Sequence, residues 1–129
     1  MNDFFLERTK YTPEINFQFS AHTLSLTGES FPENAALFYS VIFAQVREYL
    51  SGLSFGQVTA NARLTYFNSS STRQIFSLFS QLNDAAGKGN VVTVNWDFDE
   101  DDDRLREFGE EIAQEFTDLR VKLNAHAGK

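Results

Sequence analysis

The 129-residue chain carries 18 acidic against 11 basic side chains, a formal net charge of −7, with 14 Phe, 4 Tyr, 1 Trp and no Cys. That length, with an apolar content of 42%, predicts a single domain over 1–129 with a real core at about 12–123 and loose termini. The lack of Cys excludes a disulfide framework and any thiolate zinc centre, and a sequence pI of about 4.7 argues against nucleic acid as a partner, because neutralising phosphates needs clustered Lys and Arg.

Residues 15–20, INFQFS, alternate apolar and polar with Ile15, Phe17 and Phe19 on one face, the period-2 pattern of a half-buried strand. After a turn at 21–23, Leu24 and Leu26 alternate again and predict a hairpin partner. Ser30-Phe31-Pro32-Glu33 reads as an S-x-x-E capping box with Pro in the first turn. The helix it opens has Phe38, Val41, Ile42, Val46, Tyr49 and Leu50 as its apolar face, and Gly52 ends it. In residues 57–67, QVTANARLTYF, the side chains of Val58, Ala60, Ala62, Leu64 and Tyr66 share a strand face. A polar run, NSSST, precedes a helical stripe of Ile75, Leu78, Phe79 and Leu82, and Gly87-Lys88-Gly89-Asn90 is a turn rather than a P-loop. Residues 91–98, VVTVNWDF, are nearly continuously apolar or β-branched, which predicts a strand covered on both faces. Leu105, Phe108, Ile112 and Phe116 make a third helix face, and Leu119, Val121 and Leu123 predict a short edge strand before the tail. The order ββαβαβαβ predicts an α/β (α+β) domain, a mixed four- to five-stranded sheet with parallel central strands and about three helices.

The charge is not spread evenly. Residues 97–103, DFDEDDD, hold six acids, and setting them aside leaves 12 acids against 11 bases, so the imbalance is one acidic corner. Clustered carboxylates suit hard cations such as Mg²⁺ or Ca²⁺. The run lacks the EF-hand ligand order and its Gly, however, and acids at a helix start also complement the helix dipole; no metal ligand is assigned. The two imidazoles, His22 in the hairpin turn and His126 in the tail, supply neither a catalytic triad nor a His metal site and read as solvated. The expectation is a non-enzyme with no catalytic residue and no cofactor. MNDFFLERTK lacks the apolar run of a secretory signal, and no stretch of about 18 apolar residues is present to span a bilayer, which predicts a cytoplasmic protein without a membrane partner.

The segment from Tyr66 to Arg73, YFNSSSTR, is the most informative, because it lies where a strand ends and a helix begins. Ser and Thr are favoured helix caps and Asn suits a tight turn. One hydroxyl suffices for a cap, yet four stand in a row at 69–72. A phosphate on one of them would meet the free N–H groups and the positive dipole end of the helix.

GESFPEN (28–34), YFNSSST (66–72) and VNWDFDEDD (94–102), in this order and spacing, resemble the SiaC family of bacterial regulatory phosphoproteins, over a match running from Thr12-Pro13 to about Val121. The resemblance implies a STAS-like fold, similar to that of the anti-sigma-factor antagonists, and a partner-switching role. Such proteins are phosphorylated on Ser or Thr by a dedicated protein kinase and dephosphorylated by a PP2C-type phosphatase. Their unmodified form binds and activates a diguanylate cyclase or similar effector, which raises cyclic diguanylate and promotes biofilm formation. The family's acceptor hydroxyl directly follows the Asn of the motif, which carries over to Ser69, with Thr72, Ser70 and Ser71 as the alternatives. If the strands ending at Phe67 and Phe98 are parallel neighbours, the serine turn and the acidic corner share one sheet edge. The expected partner surface is then Tyr66, Asn68, Ser69, Ser70, Arg73, Asp99 and Asp101, from which added phosphate charge would expel a docked partner. Two other readings stay open: a small metal- or ligand-binding domain using the acidic corner, and a structural interaction module whose serines only cap a helix.

Overall fold

The computed structural model describes residues 1–128. Six strands form one sheet in chain order: β1 (Phe4–Leu6), β2 (Glu14–Gln18), β3 (Thr23–Ser30), β4 (Gln57–Phe67), β5 (Val91–Asp99) and β6 (Arg120–His126). Pairs β1–β2 and β2–β3 are antiparallel, and β3–β4, β4–β5 and β5–β6 are parallel. The helices α1 (Ala35–Ser51), α2 (Ser69–Gly87) and α3 (Asp103–Glu115) fill the three parallel crossovers. Each crossover steps to the next strand in the same direction, and the right-handed sense of such connections puts all three helices on one face.

The mixed sheet, its parallel centre and the three helices agree with the sequence reading, but there are six strands rather than four or five. The added one is β1, only three residues long and too short to show a period; it pairs with β2 and sets Phe4 6.4 Å from Phe17. The sheet is also covered on one face only. Along β5, Val92, Val94, Trp96 and Phe98 are buried while Val91, Thr93, Asn95 and Asp97 are half-buried. Thus β5 alternates like its neighbours, and the β-branched Val91 and Thr93 on its open face gave it the look of a strand covered on both faces. The open face is polar. Asn16, Ser25, Asn61, Asn95 and Lys122 lie in register across β2 to β6, and Asn95 Nδ2 donates to Asn61 Oδ1 at 2.9 Å.

Three of the 14 Phe pack around Trp96, which is buried and donates its indole N–H to the Leu105 carbonyl at 2.8 Å. Phe67, Phe79 and Phe108 surround it with ring centroids 6.3, 6.1 and 5.2 Å away, within the range of favourable aromatic pairs. Helix α3 comes so close that a Cβ on Gly109 would stand 2.5 Å from Trp96 Cδ1.

Three local readings are corrected. Ser30 does not cap α1: it is the last residue of β3 and fully buried, and the cap is Asn34, whose side chain accepts from the Leu37 N–H at 3.0 Å. The buried stripe of α1 is Ala35, Tyr39, Ile42, Val46 and Tyr49, which leaves Val41 exposed beside Leu37. On β4 the register shifts, Gly28 opposing Leu64 but Glu29 opposing Tyr66, so Thr65 is an extra, bulged residue. A bulge moves every later side chain to the other face. Tyr66 therefore points outward and Phe67 inward, 5.0 Å from Phe108. Gly52 follows the last residue of α1, as expected.

Candidate functional site

The turn between β4 and α2 sorts its hydroxyls by position. Asn68 is the last extended residue (ψ 178°), and its Oδ1 accepts from the Ser71 N–H at 3.0 Å. The cap is thus the Asn and not one of the hydroxyls, because each serine already lies inside the helix. Thr72 Oγ1 donates back to the Asn68 carbonyl at 3.0 Å. Ser71 is fully buried and accepts from Ser30 Oγ at 2.8 Å, and Ser30 Oγ is itself 2.7 Å from the Tyr39 hydroxyl. Burial pushes the Tyr39 phenol up to about 12, the hydrogen bond with Ser30 only partly opposing it, so the hydroxyl keeps its proton. Ser69 and Ser70 are exposed, and neither side chain makes a hydrogen bond among the described residues.

Helices α1 and α2 lie side by side and start at the same end, so both N-termini open on one concavity of about 570 Å³. Its lining includes Glu33 and Asn34 from the start of α1 and Ser69, Ser70, Arg73 and Gln74 from the start of α2. Ser69 and Arg73 are four residues apart and share a helix face. Two helix N-termini and a guanidinium make this a place where negative charge on a serine is well received.

The other flank of the turn is different. Tyr66, Phe67 and Thr72 line a cleft with Asp102, Arg104, Glu107 and Glu111. Beyond it, Asp99 borders a third cavity with Arg8, Arg63 and His126. The parallel β4–β5 pair does bring both strand ends to one edge of the sheet. Along that edge Ser69, Ser70 and Arg73 gather on the α1 side, Tyr66 and Thr72 face the start of α3, and Asp99 sits against β6. The corner's acids have local partners: Asp99 Oδ1 accepts from the Asp101 N–H (2.9 Å), Asp102 caps α3 through the Leu105 N–H (3.1 Å), and Asp97 accepts from Asn124 (2.9 Å). Among the described residues no group of three acids or imidazoles is placed to hold a metal ion. Neither histidine is merely solvated, since His22 Nδ1 bonds the Tyr49 hydroxyl and His126 Nε2 lies 3.2 Å from Asp97 Oδ1.

Sequence reasoning missed three residues here. Ser30 and Tyr39 reach the turn from distant segments, and no local pattern announces them. Phe31 completes an aromatic row with Tyr11 (5.4 Å) and Tyr66 (5.8 Å) next to the turn; the row depends on the β4 bulge that turns Tyr66 outward.

Comparison with known proteins places this geometry. The crystal structure of apo-SiaC from Pseudomonas aeruginosa superposes with a TM-score of 0.88 at 26% identity, covering 97% of this chain and all (100%) of that one. SiaC in the crystal structure of the diguanylate cyclase SiaD in complex with its activator SiaC, from the same species, gives 0.88 at 27% identity, covering 96% and 100%. An uncharacterized protein of P. aeruginosa (strain UCBPP-PA14) is 29% identical over 117 residues, 89% of this chain and 90% of that one. The model of the SiaC family regulatory phosphoproteins matches residues 6–126. The chain belongs to the SiaC family of regulatory phosphoproteins.

Proposed function

We propose that this chain is a phosphorylation-controlled binding switch with no enzymatic activity of its own, and that Ser69 is its acceptor. A Ser/Thr protein kinase adds the phosphate, a PP2C-type phosphatase removes it, and the unmodified form binds and activates a diguanylate cyclase in the cytoplasm. The observation that carries this reading is the division of labour in the turn. Asn68 does the capping, so Ser69 stands exposed in the first turn of α2, without a hydrogen bond among the described residues and four residues before Arg73. Ser70 shares that exposure and is the first alternative; Thr72 is bonded to the Asn68 carbonyl and Ser71 is buried, which makes both poorer acceptors.

The surface next to the turn suits a protein partner. Tyr66 and Tyr11 are exposed beside it, Leu37 and Val41 are exposed on α1, and exposed aromatic and aliphatic groups beside polar ones are what interface centres use. Asn68, Ser69, Ser70 and Arg73 form the polar side of this surface, while Asp99 lies apart from it, in the cavity with Arg8, Arg63 and His126. A phosphate adds about −1.5 to −2 charge units. It would draw Arg73 to itself, set new charge beside Glu33, and impose a desolvation cost on any partner seated over the turn.

The test is activation of the diguanylate cyclase from the same organism by three forms of the chain. Wild type and Ser69→Ala are expected to bind and activate alike, and Ser69→Asp to bind at least tenfold more weakly. Equal activation by all three forms would remove Ser69 from the switch.

A further inference from the structure

Beneath the turn lies a row of buried hydroxyls, Tyr39, Ser30 and Ser71, none of which is a candidate partner contact. Ser30 makes two contacts to α2 and its cap. Its backbone carbonyl accepts from the Asn68 N–H at 3.2 Å, and its Oγ donates to Ser71 Oγ at 2.8 Å. Asn68 and Ser71 are the residues immediately before and after the Ser69-Ser70 pair. One buried residue therefore grips the exposed dipeptide at both ends. Behind it stands Tyr39, its hydroxyl 2.7 Å from Ser30 Oγ. The Ser30 proton is given to Ser71, so Tyr39 is the donor to Ser30, and the protons run one way from α1 through β3 to α2. A chain aligned in this way strengthens each of its bonds. Ser30, Tyr39 and Ser71 are each 0% exposed, so water does not compete for them.

We propose that Ser30, supported by Tyr39, is a positioning residue for modification of the turn: it clamps Asn68 and Ser71 so that only Ser69 and Ser70 are offered to a modifying enzyme, in one fixed orientation. This rests on the switch reading above. A kinase must align the acceptor hydroxyl with the transferred phosphoryl group, and a pre-positioned hydroxyl carries less of the entropic cost of that alignment. The clamp gives the third hydroxyl of the run a role distinct from the first two, with Ser71 as an anchor and Ser69 as the acceptor. It also accounts for a serine at the end of β3, where a small apolar residue would fill the space and leave Ser71 and Tyr39 without their partner.

The experiment uses the full chain, tagged and purified from the organism that carries it, with phosphate mapped by fragment mass spectrometry and amide exchange followed by NMR. Wild type, Ser30→Ala and the milder Tyr39→Phe are compared. In wild type the phosphate is expected on Ser69 or Ser70 and not on Ser71. In Ser30→Ala, exchange at the Ser71 and Thr72 amides is expected to rise at least tenfold with no such rise in β4 and β5, and phosphate on Ser69 to fall at least fivefold. Tyr39→Phe is expected to change both in the same direction by a smaller factor, so the result survives if Ser30→Ala does not fold. Unchanged exchange and occupancy in both variants, with phosphate still on Ser69, overturn the positioning role and leave the switch intact. A rise in exchange that spreads equally through β4 and β5 overturns it too, since the hydroxyls are then only part of the core. Wild type without phosphate on any hydroxyl of the turn, under conditions where the kinase is active, overturns the switch reading and the clamp with it.

Discussion

The assignment of the α2 cap to Asn68 has a direct energetic consequence. Replacing an Asn cap by Ala costs about 0.5–2 kcal/mol, typically about 1, because one helix N–H loses its acceptor. Here that N–H belongs to Ser71, bonded to Asn68 Oδ1 at 3.0 Å on a half-buried turn, so a loss of about 1 kcal/mol is expected for Asn68→Ala. Ser69 is exposed and bonded to nothing among the described residues, and Ser69→Ala should fall within about 0.5 kcal/mol of wild type, as surface substitutions usually do. In a domain of this size about 1 kcal/mol corresponds to a Tm shift of roughly 3–5 °C. Urea unfolding of the two variants at one pH separates them by midpoint at unchanged m. Asn68→Ser should recover most of the loss, since Ser caps about as well as Asn. A cost for Ser69→Ala as large as that for Asn68→Ala would make a serine the cap, its hydroxyl then not free for modification.

Other outcomes follow from single contacts. Gly28 has φ +121° and a Cβ there would meet the Arg8 guanidinium at 2.7 Å, so Gly28→Ala should lower stability by about 1–3 kcal/mol in a thermal melt. Trp96→Phe removes the indole bond to the Leu105 carbonyl and leaves a void among three Phe rings, for about 2–3 kcal/mol in urea unfolding. Tyr39 provides a pH test: burial holds its phenol at about 12, above the ordinary 10.0, so its stabilisation is complete below pH 10 and is lost as pH rises toward 12. That difference is worth about 2–3 kcal/mol, and wild type should lose stability from pH 10 to 12 more steeply than Tyr39→Phe. Leu37→Ser and Val41→Ser, both on the exposed side of α1, should leave stability within about 0.5 kcal/mol and weaken cyclase binding at least fivefold in calorimetry.

What could be read from the chain depended on how local the cause was. Ile15 and Phe17, or Val58 through Leu64, announce their strands because a pleated strand exposes alternate residues whatever lies beside it. The same rule failed at Tyr66, where the bulge opposite Gly28 and Glu29 is a property of two strands together. The sequence Ser30-Phe31-Pro32-Glu33 has every local mark of a helix start, yet Ser30 is held in β3 by Asn68, Ser71 and Tyr39, and tertiary bonds outweigh a cap worth about 1 kcal/mol. In the turn, the resemblance pointed to Ser69, but the separate bonding of the four hydroxyls depends on Ser30 and Tyr39, which reach the turn from β3 and α1. The acidic corner was visible at once from composition; that Asp97, Asp99 and Asp102 each accept a local hydrogen bond was not.

The charge state of Ser69 is expected to control partner binding. This control is tested most directly by placing phosphoserine at position 69 by genetic code expansion and titrating this form and the unmodified chain against the diguanylate cyclase of the same organism. The phosphorylated form is expected to bind at least tenfold more weakly and to leave the cyclase inactive; equal affinity and equal activation by the two forms would exclude control by Ser69.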